Sequence, residues 1–205
     1  MEHPTYLRFE PARPEGDALL EWWRDLHGHM EEAAEAAGMP GAPSARTKLP
    51  NYRGERAELR RCAELAGVVL TPAYQRLYFA LRNLEGVRHP HEERLATVAG
   101  VLAHLKENTA LGGRTFARQL AQPRGDQPGA PPRLSELRFR RVLRTQNQAE
   151  LYPMLLRLVQ LLDGKADLFS LARGAYDWND EQRKGWAYDY YDAMFRQGGT
   201  GAAAN

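Results

Sequence analysis

An all-α fold follows from three features of the 205-residue chain. Apolar residues recur every three or four positions from end to end, helix-capping residues precede those runs, and no stretch alternates apolar with polar residues as a half-buried strand does. The expected arrangement is a single compact bundle of about eight or nine helices, with a division into two helical subdomains left open. At roughly 150 residues per domain, the length allows one large unit or two small ones. A hydrophobic content of 43% supplies a core, and 18 Gly with 13 Pro stay below the level of wholesale disorder.

Each element has its own local reason. Over 17–37, Leu19, Trp22, Trp23, Leu26, Met30, Ala33, Ala34 and Ala37 advance by three or four before Gly38, which predicts one long amphipathic helix. Residues 38–52 are punctuated by Pro and Gly and read as a loop. A second helix is expected over about 53–66. Thr71 followed by Pro72 is an N-cap with proline at the first helical position, and it opens a third helix carrying Tyr74, Leu77, Tyr78, Leu81 and Leu84. Leu95, Val98, Ala99, Leu102 and Leu105 predict a fourth over about 91–107, and Phe116 and Leu120 a short fifth over about 113–121. Pro123, Pro128, Pro131 and Pro132 with Gly125 and Gly129 forbid helix there.

Beyond that break, Ser135 can cap a sixth helix with Phe139, Val142 and Leu143. A seventh over about 147–162 contains Pro153, which is expected to bend its first turns. Asp167 can cap a short eighth, and Asn179 with Gln182 forms a capping-box pattern for the last, over about 180–196. The expected organisation is therefore an N-terminal extension (1–16), a helical part (17–121), a Pro/Gly-rich loop (122–134), a second helical part (135–196) and a Gly/Ala tail (197–205) with nothing to bury.

Composition excludes several classes. The single cysteine, Cys62, cannot form an internal disulfide, and paired-cysteine metal patterns are absent. No apolar run approaches the ~18 residues of a membrane span, and the N-terminus lacks the basic-then-apolar layout of a signal peptide. No membrane contact is expected, and a reducing, cytoplasmic setting fits best. His27/His29 and His89/His91 are spaced by two, so neither pair shares a helix face, and no HExxH accompanies them. P-loop, GxGxxG and GxSxG motifs are absent too, so neither cofactor nor catalytic activity is expected.

The net charge of +2 conceals strong segregation. Residues 1–44 carry −6, 45–82 carry +5, 83–113 carry −1, 114–144 carry +6 and 145–205 carry −2. Of 28 basic residues only Lys48, Lys106, Lys165 and Lys184 are lysine. A GC-rich codon bias accounts for most of that ratio, but not for the clustering. Arg53, Arg56 and Arg60 fall on one face of the second helix with Arg61 beside them. Arg140 and Arg144 share a face of the sixth, flanked by Arg141 and lying opposite Phe139, Val142 and Leu143. Two such faces, with Arg138, Arg114 and Arg118, predict a phosphate-tracking surface, for which the planar guanidinium fork is well suited. Of the C-terminal aromatics Trp178, Trp186, Tyr188, Tyr190 and Tyr191, the spacing of Trp186, Tyr190 and Met194 predicts a core stripe rather than a base-stacking platform.

The segments Gly113–Arg118, Arg138–Arg144 and Leu155–Leu162, then Leu171-Ala172, Trp178 and Trp186–Tyr191, in that order, resemble the CasB family, small subunits of type I-E CRISPR Cascade complexes. Leu20–Trp23 and Arg56–Arg61 fit more loosely, and the resemblance covers about residues 17–192. The loop at 38–52, the insertion at 122–133 and the Gly/Ala tail depart from the family pattern. The resemblance implies an all-helical, non-catalytic subunit, present as a pair in a guide-RNA surveillance complex. It would contact other Cascade subunits, guide RNA and target DNA including the displaced strand, helping strand exchange forward without reading sequence. The positions matching the family's nucleic-acid contacts are Arg60, Arg61, Arg144 and Arg157, with Arg183 or Lys184 in a turn of variable charge. Arg114, Arg118, Arg138, Arg140 and Arg141 come from the helix faces alone. The alternative is a purely structural scaffold subunit whose arginines contact acidic protein partners; a metal-dependent nuclease is a third reading.

Overall fold

In the computed structural model, residues 7–27, 52–109, 115–125 and 130–199 are described. Pro14, at the first helical position after an extended Arg13, starts α1 (Pro14–Leu26), with Glu15 and Asp17 in the first turn, where the helix dipole favours acids. Leu19, Trp22, Trp23 and Leu26 are buried, as their spacing predicts. The helix closes at His27, whose backbone N–H reaches Arg24 and Asp25 carbonyls. The expected continuation to residue 37, and the loop after it as far as residue 51, lie outside the described residues.

The single helix expected over 53–66 is two, α2 (Tyr52–Arg61) and α3 (Leu65–Val69). The chain turns extended at Glu64, and the break leaves the Cys62 carbonyl to accept a 2.9 Å hydrogen bond from the Tyr152 hydroxyl. Thr71 caps α4 (Pro72–Arg82) as expected, its hydroxyl oxygen accepting from Tyr74 N–H and donating to the Val68 carbonyl at 2.8 Å. The indole of Trp22 donates to Ala73 O at 2.8 Å and fastens α1 to α4. Arg76 adds a polar pin, reaching Glu55 of α2 at 2.6 Å and Asp25 of α1 at 3.6 Å.

The core is organised around α5 (Glu92–Leu102), in which every residue from Leu95 to Leu102 is buried. A helix buried on all sides must be wrapped. Here α3, α4, α8 (Gln148–Leu161) and α9 (Leu168–Tyr176) pack around it. After α5 the chain forms β1 (Glu107–Asn108), parallel to β2 (Lys165–Ala166). Two residues per strand carry no readable period, which is why this pairing is invisible in the sequence. The turn into β2 passes through Asp163 and Gly164, both at positive φ.

The C-terminal part comprises α6 (Phe116–Ala121), α7 (Glu136–Leu143), α8, α9 and α10 (Asp180–Gly199). Asn147, Asp167 and Asn179 supply side-chain caps to α8, α9 and α10. Ser135 holds the N-cap position of α7, but its hydroxyl makes no capping bond. The α8 helix runs on through Pro153. Between α6 and α7, Pro123 and Pro132 form an antiparallel bridge across the non-helical loop. One continuous buried cluster joins Leu7 to Ala193, so residues on both sides of that loop share a core. The ten helices among the described residues make an all-α bundle, one more than expected because of the break at Ala63.

Trp186 is 2% exposed and lies 5.0 Å from Trp178 and 5.3 Å from Phe116 between ring centroids. A Cβ on Gly174 would fall 2.3 Å from its ring, so only glycine lets α9 approach this closely. Truncating Trp186→Ala is therefore expected to cost about 3–5 kcal/mol, and Gly174→Ala about 1–3 kcal/mol by overpacking. Urea unfolding checks both.

Candidate nucleic-acid interface

The second basic island takes its geometry from the packing of α7. Phe139 and Val142 turn to the core, where Phe139 stacks on Tyr190 of α10 with centroids 3.9 Å apart and planes at 11°. The Tyr190 hydroxyl donates to the Leu134 carbonyl just before α7, fixing the entry of the helix. With this side held down, Arg138, Arg141 and Arg144 are exposed, the last at the C-cap. The exposed Arg157 of α8 joins two of them: Arg138, Arg141 and Arg157 rim a groove of about 290 Å³ between α7 and α8. Its remaining walls are apolar, built by Leu134, Val142, Met154, Leu158 and Leu161. Among the described residues, none of Arg138, Arg141, Arg144 and Arg157 has a carboxylate within ion-pair reach.

Arg140 points elsewhere. It pairs with Glu136 one turn back and donates from Nε to the Tyr191 hydroxyl at 3.1 Å, contacts that raise its pKa. Arg118 is bound more firmly still: Nε meets Asp189 at 3.1 Å and Nη2 meets Asp192 at 2.8 Å. The hydrogen bond to Asp189 leads the causes that raise its pKa. Thr115, the N-cap of α6, donates to the same Asp189 at 2.7 Å. These contacts dock α6 on α10. Arg183 donates to the Thr145 carbonyl at 3.2 Å and pairs with Asp180. Lys184 beside it is exposed and makes no ion pair among the described residues. Arg114 lies outside the described residues.

The first island divides in the same way. Arg56 donates to the carbonyls of Ala103 and Leu105 at 2.9 and 3.0 Å, covering the C-terminal end of α5, and burial lowers its pKa with help from Arg60. His27 places its two ring nitrogens 2.7 Å from the Trp23 and Leu105 carbonyl oxygens. Arg60 and Arg61 are exposed without an ion-pair partner among the described residues. With Arg53, Arg56, His27 and Ala57, Arg60 lines a shallow hollow of about 280 Å³.

Of the C-terminal aromatics, Trp178, Trp186 and Tyr190 are buried, Tyr191 is half-buried and Tyr188 is 77% exposed. The core stripe is as expected. Unread in the sequence were the apolar walls behind the arginine rim and the long-range pairing of Arg118. The pairs of Arg140 with Glu136 and Arg183 with Asp180 have i,i+4 and i,i+3 spacings that a local reading can find. Arg118 and Asp189 stand 71 residues apart, and no local signal links them.

The family described as CRISPR-associated protein Cse2 matches residues 55–191, from the first turn of α2 to the middle of α10. The chain belongs to the Cse2 family. This is the CasB family of the sequence resemblance, the small subunit of type I-E Cascade. No curated protein and no solved structure matches the chain. All of the arginines and walls of the α7–α8 groove fall inside the matched region, as do Arg60 and Arg61. Among the described residues of this Cse2 chain, no helix is long and apolar enough to cross a membrane.

Two outcomes test this division of the cations. Arg118→Ala is expected to destabilise the fold by about 1 kcal/mol, the upper end for partly exposed pairs, because Asp189 loses its guanidinium and Asp192 keeps only Arg196. Arg144→Ala is expected to stay within about 0.5 kcal/mol of the parent; denaturant midpoints at unchanged slope report both. His104, half-buried beside Arg56 and Arg60, is held below the ordinary histidine value first by burial and then by those charges. The unfolded chain therefore takes up the proton first, and stability falls as pH drops below about 6.5. His104→Gln is expected to lose less melting temperature than the parent on acidification from about pH 7.5 to about pH 5.

Proposed function

We propose that this Cse2-family chain is the nucleic-acid-holding small subunit of a type I-E Cascade complex, acting without catalysis and without sequence preference. The observation that carries the reading is the contrast among its arginines. Arg76, Arg118, Arg140 and Arg183 take carboxylates of their own chain. Arg60, Arg61, Arg138, Arg141, Arg144 and Arg157 stand exposed without acidic partners among the described residues. Arg60, Arg61 and Arg141 suit the C-terminal ends of their helices, but clustered exposed guanidinium groups repel one another, and a strand of phosphates satisfies them while releasing condensed counterions. Lys184 joins them as a secondary contact. Arg118, Arg140 and Arg183 serve the fold first.

Guanidinium groups stay protonated at any working pH, so this surface holds charge but moves no proton, which supports a non-enzymatic role. Within Cascade the guide reads the target by base pairing, and exchange of one duplex for another is close to balanced in free energy. Protein cations that hold the guide–target hybrid or the displaced strand tip that balance. A second copy of the chain in the complex would extend the cationic track. A cytoplasmic setting follows from this role.

Equilibrium binding of the full chain to unrelated DNA and RNA sequences tests the proposal. If about five phosphates are neutralised, log K falls against log salt with a slope of about −3.5 on single strands and about −4.5 on duplex. A flat salt response, or strand cleavage that survives repurification, would contradict it. Salt-sensitive binding to acidic Cascade subunits, with none to nucleic acid, would favour the scaffold reading.

A further inference from the structure

Phosphate contacts alone do not account for the apolar walls between α7 and α8. A backbone-tracking surface needs only exposed cations, yet Arg138, Arg141 and Arg157 surround a concave space walled by Leu134, Val142 and Met154, with Leu158 and Leu161 completing it. We propose that this groove seats one unpaired base of a nucleic-acid strand, while Arg138, Arg141 and Arg157 hold the phosphates on either side of it. The inference rests on the nucleic-acid reading above and adds what that reading lacks, a reason for single strand to be preferred over duplex at this place.

Size, wall chemistry and rim charge agree on this occupant. At about 290 Å³ the space lies just below the range of about 300–1,000 Å³ in which drug-sized ligands bind. That suits one planar ring system and is small for the face of a docking helix. The walls offer the flat apolar contact that a base makes with any neighbour, and the guanidinium planes at the rim can stack on a base as well as fork to a phosphate. Apart from the three guanidinium groups, no polar side chain lines the groove among the described residues, so its walls place no acceptor against the base's pairing edge. The absence of any acid from the lining makes the rim complementary to a polyanion. A base inside a duplex is paired and stacked on both sides and cannot enter without first being flipped out.

The test compares, by fluorescence anisotropy on the full chain at one salt concentration, a mixed-sequence DNA strand with the same strand carrying abasic residues. Length and charge are equal, so the phosphate contribution cancels. The abasic strand is expected to bind roughly five- to hundredfold more weakly, the range for loss of one stacked base, with an unchanged salt slope. Leu161→Trp fills the groove, and this variant is expected to bind the two strands equally. Should Leu161→Trp fail to fold, by melting, Val142→Leu, which narrows the same groove from the α7 side, takes its place in the comparison. Equal binding of both strands by the parent overturns the base seat and leaves the phosphate reading standing. A difference that persists in a folded Leu161→Trp places the base elsewhere and overturns it as well. Failure to bind any strand overturns both readings. If both strands bind the parent equally and Leu161→Trp loses association with the other Cascade subunits, the groove belongs to a protein partner.

Discussion

Trp186 is enclosed by Phe116 and Trp178 over a glycine that admits its ring, and this contact decides where α10 lies on the bundle. One turn further along, Tyr190 stacks on Phe139 and donates to the Leu134 carbonyl, so the same helix fixes how α7 is rotated. The rotation has a functional consequence. With Phe139 and Val142 held inward, Arg138 and Arg141 turn toward α8 and its Arg157, while Arg140 turns toward Tyr191. A different seat for α10 would release α7 and disperse the cations.

Electrostatics separates the arginines into two populations along the same packing. Asp189 and Asp192 lie on α10 beside the aromatic stripe, and Arg118 meets them there while Thr115 completes the hydrogen bonding of Asp189. Such partly screened contacts are each modest in free energy, but together they orient α6 against α10. Arg138, Arg141 and Arg157 gather instead at a groove whose lining, among the described residues, holds no acid. The N-terminal island reaches the C-terminal helices through the Tyr152 hydroxyl on the Cys62 carbonyl, next to Arg60 and Arg61. Burial pushes that tyrosine up to about 12, so it remains a hydrogen-bond donor at neutral pH.

Much of the fold was legible because helix signals are local. Thr71 with Pro72, Asp167 and Asn179 cap the helices their positions announce, and the stripe Trp186, Tyr190 is buried as its spacing requires. The misses share a physical origin in tertiary context. Nothing local shows that residues 62–64 break a helix, because the carbonyl freed there is answered by a side chain 90 residues away. The parallel pairing of 107–108 with 165–166 is equally non-local. For the site, face reasoning found the arginine clusters but could not distinguish Arg141, which meets no acid among the described residues, from Arg118, whose partners lie on another helix. Nor could it show that Arg157 shares a groove with Arg138, since that depends on how α7 crosses α8.

We propose that the arginines without acidic partners among the described residues hold nucleic acid for Cascade, while the paired ones hold the protein together. Target-strand opening by a reconstituted Cascade measures this most directly, with the parent chain compared with Arg138→Ala/Arg141→Ala/Arg144→Ala/Arg157→Ala in a complex of verified composition. The account predicts a variant that melts like the parent and assembles, yet opens target DNA more slowly and loses the open state faster. Opening at parental rate and persistence in the fully assembled variant would contradict it.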